Sequence, residues 1–96
     1  MATSKVITLL SNASASSSGV PWPGGEGTFH VVGTFTSVTV TLQRLGADGT
    51  TWTDIGSDVA LTAEGMANFN VGAGTIRAEV DGTATGLYGV VAGTGR

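Results

Sequence analysis

The chain has no cysteine among its 96 residues, so neither a disulfide nor a thiolate metal site can brace it. Charge is almost as scarce, at 11% of residues, with Lys5, Arg44, Arg77 and Arg96 set against seven Asp or Glu. The basic residues are scattered and the net charge is −3. That leaves no electrostatic footprint for nucleic acid and little attraction to an anionic membrane surface. No stretch approaches the roughly 20 apolar residues of a membrane-spanning helix. The apolar run VITLL at 6–10 is shorter than the roughly 7–15 residues of a signal-peptide core, so no cleaved leader is expected.

His30 is the one histidine, which excludes a His-based metal cluster. The serines gather in the polar stretch 14–18, away from any strand-turn-helix nucleophile elbow. Asp48, Asp54 and Asp58 do not have the spacing of an EF-hand loop. Gly24, Gly25 and Gly27 lack the Gly-Lys-Ser/Thr ending and the helix of a phosphate loop. No catalytic, cofactor-binding or metal-ligating residue is therefore assigned, no cofactor is expected, and the chain is read as a non-enzyme.

What is present is strand-and-turn composition. Glycine, at 16 residues, and threonine dominate, while helix formers such as Lys, Glu and Gln are few. Apolar residues at 41% and clear period-2 alternation argue for a folded core rather than disorder. In TFHVV at 28–32, Phe29 and Val31 share one face; in SVTVTLQR at 37–44, Val38, Val40 and Leu42 share one face and Thr39, Thr41 and Gln43 the solvated other. Asp48-Gly49 turns the chain, and TTWTDIG at 50–56 returns antiparallel to 37–44. Further short strands are expected at 58–62, 67–71, 75–81 and 87–92, with Ile76, Ala78 and Val80 inside and Arg77 and Glu79 outside. With VITLL, these make about eight short strands and no significant helix. The predicted fold is all-β: a small antiparallel β-sandwich, jelly-roll or immunoglobulin-like, or a small barrel.

Residues 1–96 form one domain, with 1–24 as an N-terminal strand or arm followed by a Gly/Ser/Pro-rich loop. VITLL is either a strand covered on both sides or an arm docked on a partner; SNASASSSG at 11–19 reads as a flexible linker. GVPWPGGEG at 19–27 is expected to be irregular, because Pro21 and Pro23 remove backbone donors. Trp22, between those prolines, is an interface anchor, a cap on the core, or a stacking platform for sugars. Trp52 reads as core or edge filler, Tyr88 as a packing residue with its hydroxyl at the rim, and His30 as a polar-face strand residue. The candidate interface residues are Val6, Ile7, Leu9, Leu10, Pro21, Trp22 and Pro23. A small domain without covalent bracing commonly finds support in an oligomer.

Taken together, GTFTSVTVTLQRLGADGTTWTDIGSD, then TAEG, then VGAGTIRAEVDGTATGLYGVV resemble a recurring type of small tailed-bacteriophage structural protein. Such chains pair a TVTLQ strand with a DGTTW strand, add an AG-x-(I/Y)-R-A strand and close with a short strand after a Gly-rich turn. The resemblance covers roughly residues 26–92; the loop GVPWPGGEG lies outside the pattern. It implies a virion component, and within that class a capsid decoration or cement protein. Such a protein is made in the bacterial host cytoplasm and seated on the capsid exterior against the major capsid protein lattice, as a homo-oligomer, often a trimer. The alternatives are a carbohydrate-binding or adhesion module, or a tail or head-fibre component. No nucleic-acid or membrane partner is expected.

Overall fold

A computed structural model describes residues 6–93. Within them lie seven strands: β1 (Val6–Ala13), β2 (Val20–Trp22), β3 (Gly25–Leu45), β4 (Trp52–Asp54), β5 (Ala60–Leu61), β6 (Gly65–Val71) and β7 (Gly74–Gly93), with a single 3-10 turn at Ser57–Val59. All pairings are antiparallel and belong to one sheet of main order β1-β7-β3-β4, with β2 on β7, and β5 and β6 on β3. The expected all-β antiparallel class is what forms, but the strands at 28–32 and 37–44 are one strand, as are those at 75–81 and 87–92.

The segments between them, which read as turns, are β-bulges. The β3–β7 ladder shifts register between Val32 and Thr34 and between Phe35 and Ser37. Gly33 and Gly86 sit at the first shift and Gly82 just past the second, opposite Val38, all at positive φ. A bulge bends a strand without ending it, so both long strands turn a corner and continue. The sheet folds over on itself. One half contains β6, the first part of β3, the last part of β7 and β1; the other contains β4, β5, the rest of β3, the start of β7 and β2. Phe29, Val31 and Val91 from the first half and Val40, Leu42, Ile76 and Ala78 from the second are buried in one cluster, which is the two-layer core of a sandwich cut from one sheet.

The N-terminal segment departs most from expectation. β1 pairs with β7 from Val6↔Ala92 to Ala13↔Leu87. Ser17 N then donates to the Ala78 carbonyl (2.9 Å), and the amides of Ala78 and Val80 donate to the hydroxyls of Ser17 and Ser16 (2.9 Å each). β2 completes the run at Val20↔Ile76 through Trp22↔Gly74. Residues 6–22 are thus an interrupted strand along the free edge of β7, meeting it at 87–92, at Ala78 and Val80, and at 74–76, not an arm with a linker. Serine hydroxyls accept from the amides that no strand reaches, which answers the cost of unpaired backbone donors. Pro21 is tolerated because β2 is an edge strand.

Two further positions differ from the expected pattern. Thr41 and Gln43, expected on a solvated face, are both 6% exposed. Gln43 lies in a polar layer: its Nε2 donates to Asp54 Oδ1 (2.8 Å), and Arg77 Nε donates to its Oε1 (2.9 Å). Tyr88, expected to pack, is half exposed.

Candidate functional site

Trp22 is held by elements far apart in sequence. β2 places its indole beside Phe69 of β6, with ring centroids 5.1 Å apart and planes tilted by 49°. Its Nε1–H donates to the Val71 carbonyl (3.3 Å), so the polar tip of the ring is satisfied. Gly27 makes room: a Cβ there would lie 2.8 Å from the Trp22 ring and 2.9 Å from Phe69. At 2% exposure, Trp22 caps the core and offers no surface to a sugar or a partner. Among the other candidate interface residues, Leu9 and Leu10 are also buried, Ile7 is half-buried, and Val6, Pro21 and Pro23 are exposed. The apolar arm is therefore spent largely on its own sheet.

The other aromatics and charges are engaged locally. The Arg77 guanidinium lies 4.5 Å from the centre of the Trp52 ring and 3.8 Å from Glu79. That ring, covered by a cation, is not an open stacking platform either. Arg44 donates from Nη2 to the Ala73 carbonyl (2.7 Å) and from Nη1 to Leu45 (3.3 Å), while its Nε is buried without a partner. Gly74 lets the guanidinium lie against the backbone, since a Cβ there would come within 2.8 Å of it. Arg44 borders a groove of about 260 Å³ with Leu45, Thr53, Asp54, Ile55 and Val71. The groove holds one cation and one carboxylate, and that carboxylate is already bound to Gln43. Among the described residues no three His, Asp or Glu side chains converge as metal ligands.

Asp48 closes the hairpin between β3 and β4. Thr51 Oγ1 donates to Oδ2 (2.6 Å), and the amides of Thr50 and Thr51 donate to Oδ1 (3.0 and 2.9 Å). The Thr51 hydroxyl first, then the two amides, hold the carboxyl well below its usual value of 3.8. A depressed folded-state pKa contributes stability that is fully present above the unfolded value and lost as pH falls through the folded one. Asp48→Asn is accordingly expected to lower the urea midpoint at pH 7 and to flatten its decline below pH 3.8; an unchanged acid limb would show that the turn does not depend on the charge.

The surface feature that sequence reading missed is a sheet face. Directly paired residues share a face, so the register lays out the outer side of the first half in rows. Asn68, Thr28, Ala92 and Val6 form one; Met66, His30, Val90 and Thr8 the next; Val32 and Tyr88 a third. Thr28 Oγ1 donating to Asn68 Oδ1 (2.9 Å) confirms the first row. The four large exposed hydrophobic residues, Val6 at 65%, Met66 at 64%, Tyr88 at 50% and Val32 at 37%, all lie in these rows. No charged residue does; Glu26 and Glu64 stand at the two ends, with Glu64 accepting from Gly33 N (2.8 Å). A signal was available in the sequence. Val31-Val32 and Val90-Val91 are apolar on both parities, and continuous apolar runs mark strands covered on both faces.

No family model matches the chain, and no curated protein matches its sequence. Its fold is similar to that in the crystal structure of the SPBc2 prophage-derived protein YomS. The TM-score is 0.68 and the identity 18%, over 96% of this chain and 92% of that one.

Proposed function

We propose that this chain is a non-enzymatic bacteriophage virion protein, a capsid decoration or cement protein that binds the major capsid protein lattice and stabilises the head. The observation that carries the reading is the fold shared with a prophage-derived protein over nearly the full length of both chains. The TVTLQ…DGTTW pattern supports it, because it falls on the hairpin of β3 and β4 (Gln43↔Asp54 to Leu45↔Trp52), where the phage-protein resemblance puts it. The mechanism is adhesive. A protein that binds only the assembled shell stabilises it by mass action, by about 2.7 kcal/mol per site at a free concentration 100 times Kd. No cofactor, nucleic acid or membrane enters this reading. The chain is made in the bacterial cytoplasm and ends on the capsid exterior.

The test is to add the purified chain to heads lacking it and to measure occupancy by reconstruction together with the temperature of shell rupture. Density on the outer capsid surface and a raised rupture temperature are expected. Density confined to the tail or to head fibres would assign the chain to those parts instead. Absence from the particle would end the virion reading altogether.

A further inference from the structure

We infer that the outer face of the β6-β3-β7-β1 half-sheet is a self-association surface whose occupant is a second copy of this chain, packed face to face about a two-fold axis. The inference builds on the structural role proposed above but stands on different observations. β1, β3 and β7 carry apolar residues on both parities in this half, at Ile7 and Val6, Val31 and Val32, and Val91 and Val90. The fold covers only the inward set; the outward set belongs to a strand pattern covered on both faces.

Charge selects the occupant. The chain carries a net −3, and its acidic side chains Asp48, Asp54, Asp58, Glu79 and Asp81 belong to the second half or its loops. Two copies meeting through the neutral rows oppose no like charges at the centre, and Glu26 and Glu64 fall at the rim. Val90, Val32 and Tyr88 lie on the two central strands and Met66 and Val6 on the flanking ones, with His30, Thr8, Thr28 and Asn68 as the polar members of the face; Tyr and Met are enriched in protein interfaces. An isologous contact uses the same patch on both copies, and two sheet faces pack about 10 Å apart.

Area sets the strength. Four strands about 4.8 Å apart, each contributing about seven residues at 3.4 Å, span roughly 19 by 24 Å, or about 450 Å² per copy. A standard interface takes about 800 Å² per partner, so the contact falls in the weak, transient class. It dimerises the free chain at high concentration and adds avidity where copies are already held near one another. The two-fold it generates is distinct from the trimer that the phage-protein resemblance implies.

Sedimentation of the full chain over a wide concentration series tests this. A monomer–dimer equilibrium is expected, with Met66→Lys and Tyr88→Lys each moving its midpoint to at least about tenfold higher concentration. Thr53→Lys, exposed on β4, should leave the midpoint unchanged, and thermal melts verify that each variant folds. As a readout independent of substitution, amide shifts on dilution of the unaltered chain should concentrate at residues 28–32, 66–68 and 88–92. A monomer at every concentration, a trimer unaffected by both variants, or dilution shifts centred on the second half would overturn the inference. If the chain stays monomeric yet both variants lose capsid binding, the face belongs to the shell protein: the second copy is wrong and the virion role stands. If the dimer forms as expected and the chain is absent from particles, the virion role fails and the surface assignment stands.

Discussion

Trp22→Ala is expected to destabilise the protein by about 3–5 kcal/mol, the range for truncating a large buried aromatic side chain. Three losses combine at this site: the ring's contact with Phe69, the apolar area of a side chain only 2% exposed, and the space that Gly27 leaves open for it. The Val71 carbonyl also loses its indole donor. Native domains are stable by about 5–15 kcal/mol, and a short chain without disulfides belongs toward the lower end, so this single change removes most of the margin. Urea denaturation should show the midpoint falling sharply with little change in slope. Trp22→Phe keeps the packing and gives up the hydrogen bond, so a smaller loss of about 1–2 kcal/mol is expected. Trp52→Ala gives the comparison: its ring is half-buried and its cation–π contact with Arg77 contributes about 0.5–1 kcal/mol. If Trp22→Ala and Trp52→Ala cost the same, Trp22 is not the plug of the core.

Gly82→Ala is expected to cost about 2–6 kcal/mol, from backbone strain of about 1–3 and steric displacement of about 1–3 kcal/mol. Gly82 stands opposite Val38 at the corner of β3 and β7 with φ of 122°. An added Cβ would collide with the Ser37 carbonyl oxygen and lie 2.9 Å from Val38 Cα. Those atoms are backbone of the central ladder and cannot rotate away. Gly49→Ala separates the two causes. Gly49 also has positive φ, at 77°, but a Cβ there meets nothing within 4 Å. It should cost only the conformational part, about 1–2 kcal/mol. Thermal melts of the two variants side by side check this; equal shifts would mean that the corner yields to the added methyl.

These two sites show why some of the fold was legible in the sequence and some was not. The inward faces of residues 28–32 and 37–44 follow from alternation, since strand periodicity is local information, and Phe29, Val31, Val40 and Leu42 are all fully buried. The Asp48-Gly49 turn follows from turn chemistry, which is also local. The continuity of β3 and β7 does not, because Gly33, Gly82 and Gly86 carry the same signal whether they end a strand or bulge it. Which occurs depends on a partner 44 to 56 residues away, from Val38↔Gly82 to Val32↔Tyr88. Ser16 and Ser17 read as linker because a hydroxyl accepting from a distant strand edge leaves no local trace. The burial of Trp22 depends on Gly27, Phe69 and Val71, and its sequence context, two prolines in a Gly-rich stretch, points toward a loop. The outer face was hidden for a different reason. Val32 and Val90 sit beside inward-facing valines, and attention to alternation discounts the residue that breaks it.

The broken strand along β7 also sets the tempo of folding. Val6 meets Ala92, and Pro21 meets Thr75, so the first strands find their partners only after nearly the whole chain has been drawn into place. Closing such long loops costs entropy before any contact repays it, and proteins dominated by distant antiparallel pairings fold in milliseconds to seconds rather than microseconds. Hydrogen-exchange labelling during refolding would see the β3–β7 ladder protected first, and the amides of Ala78 and Val80, which wait for Ser17 and Ser16, among the last.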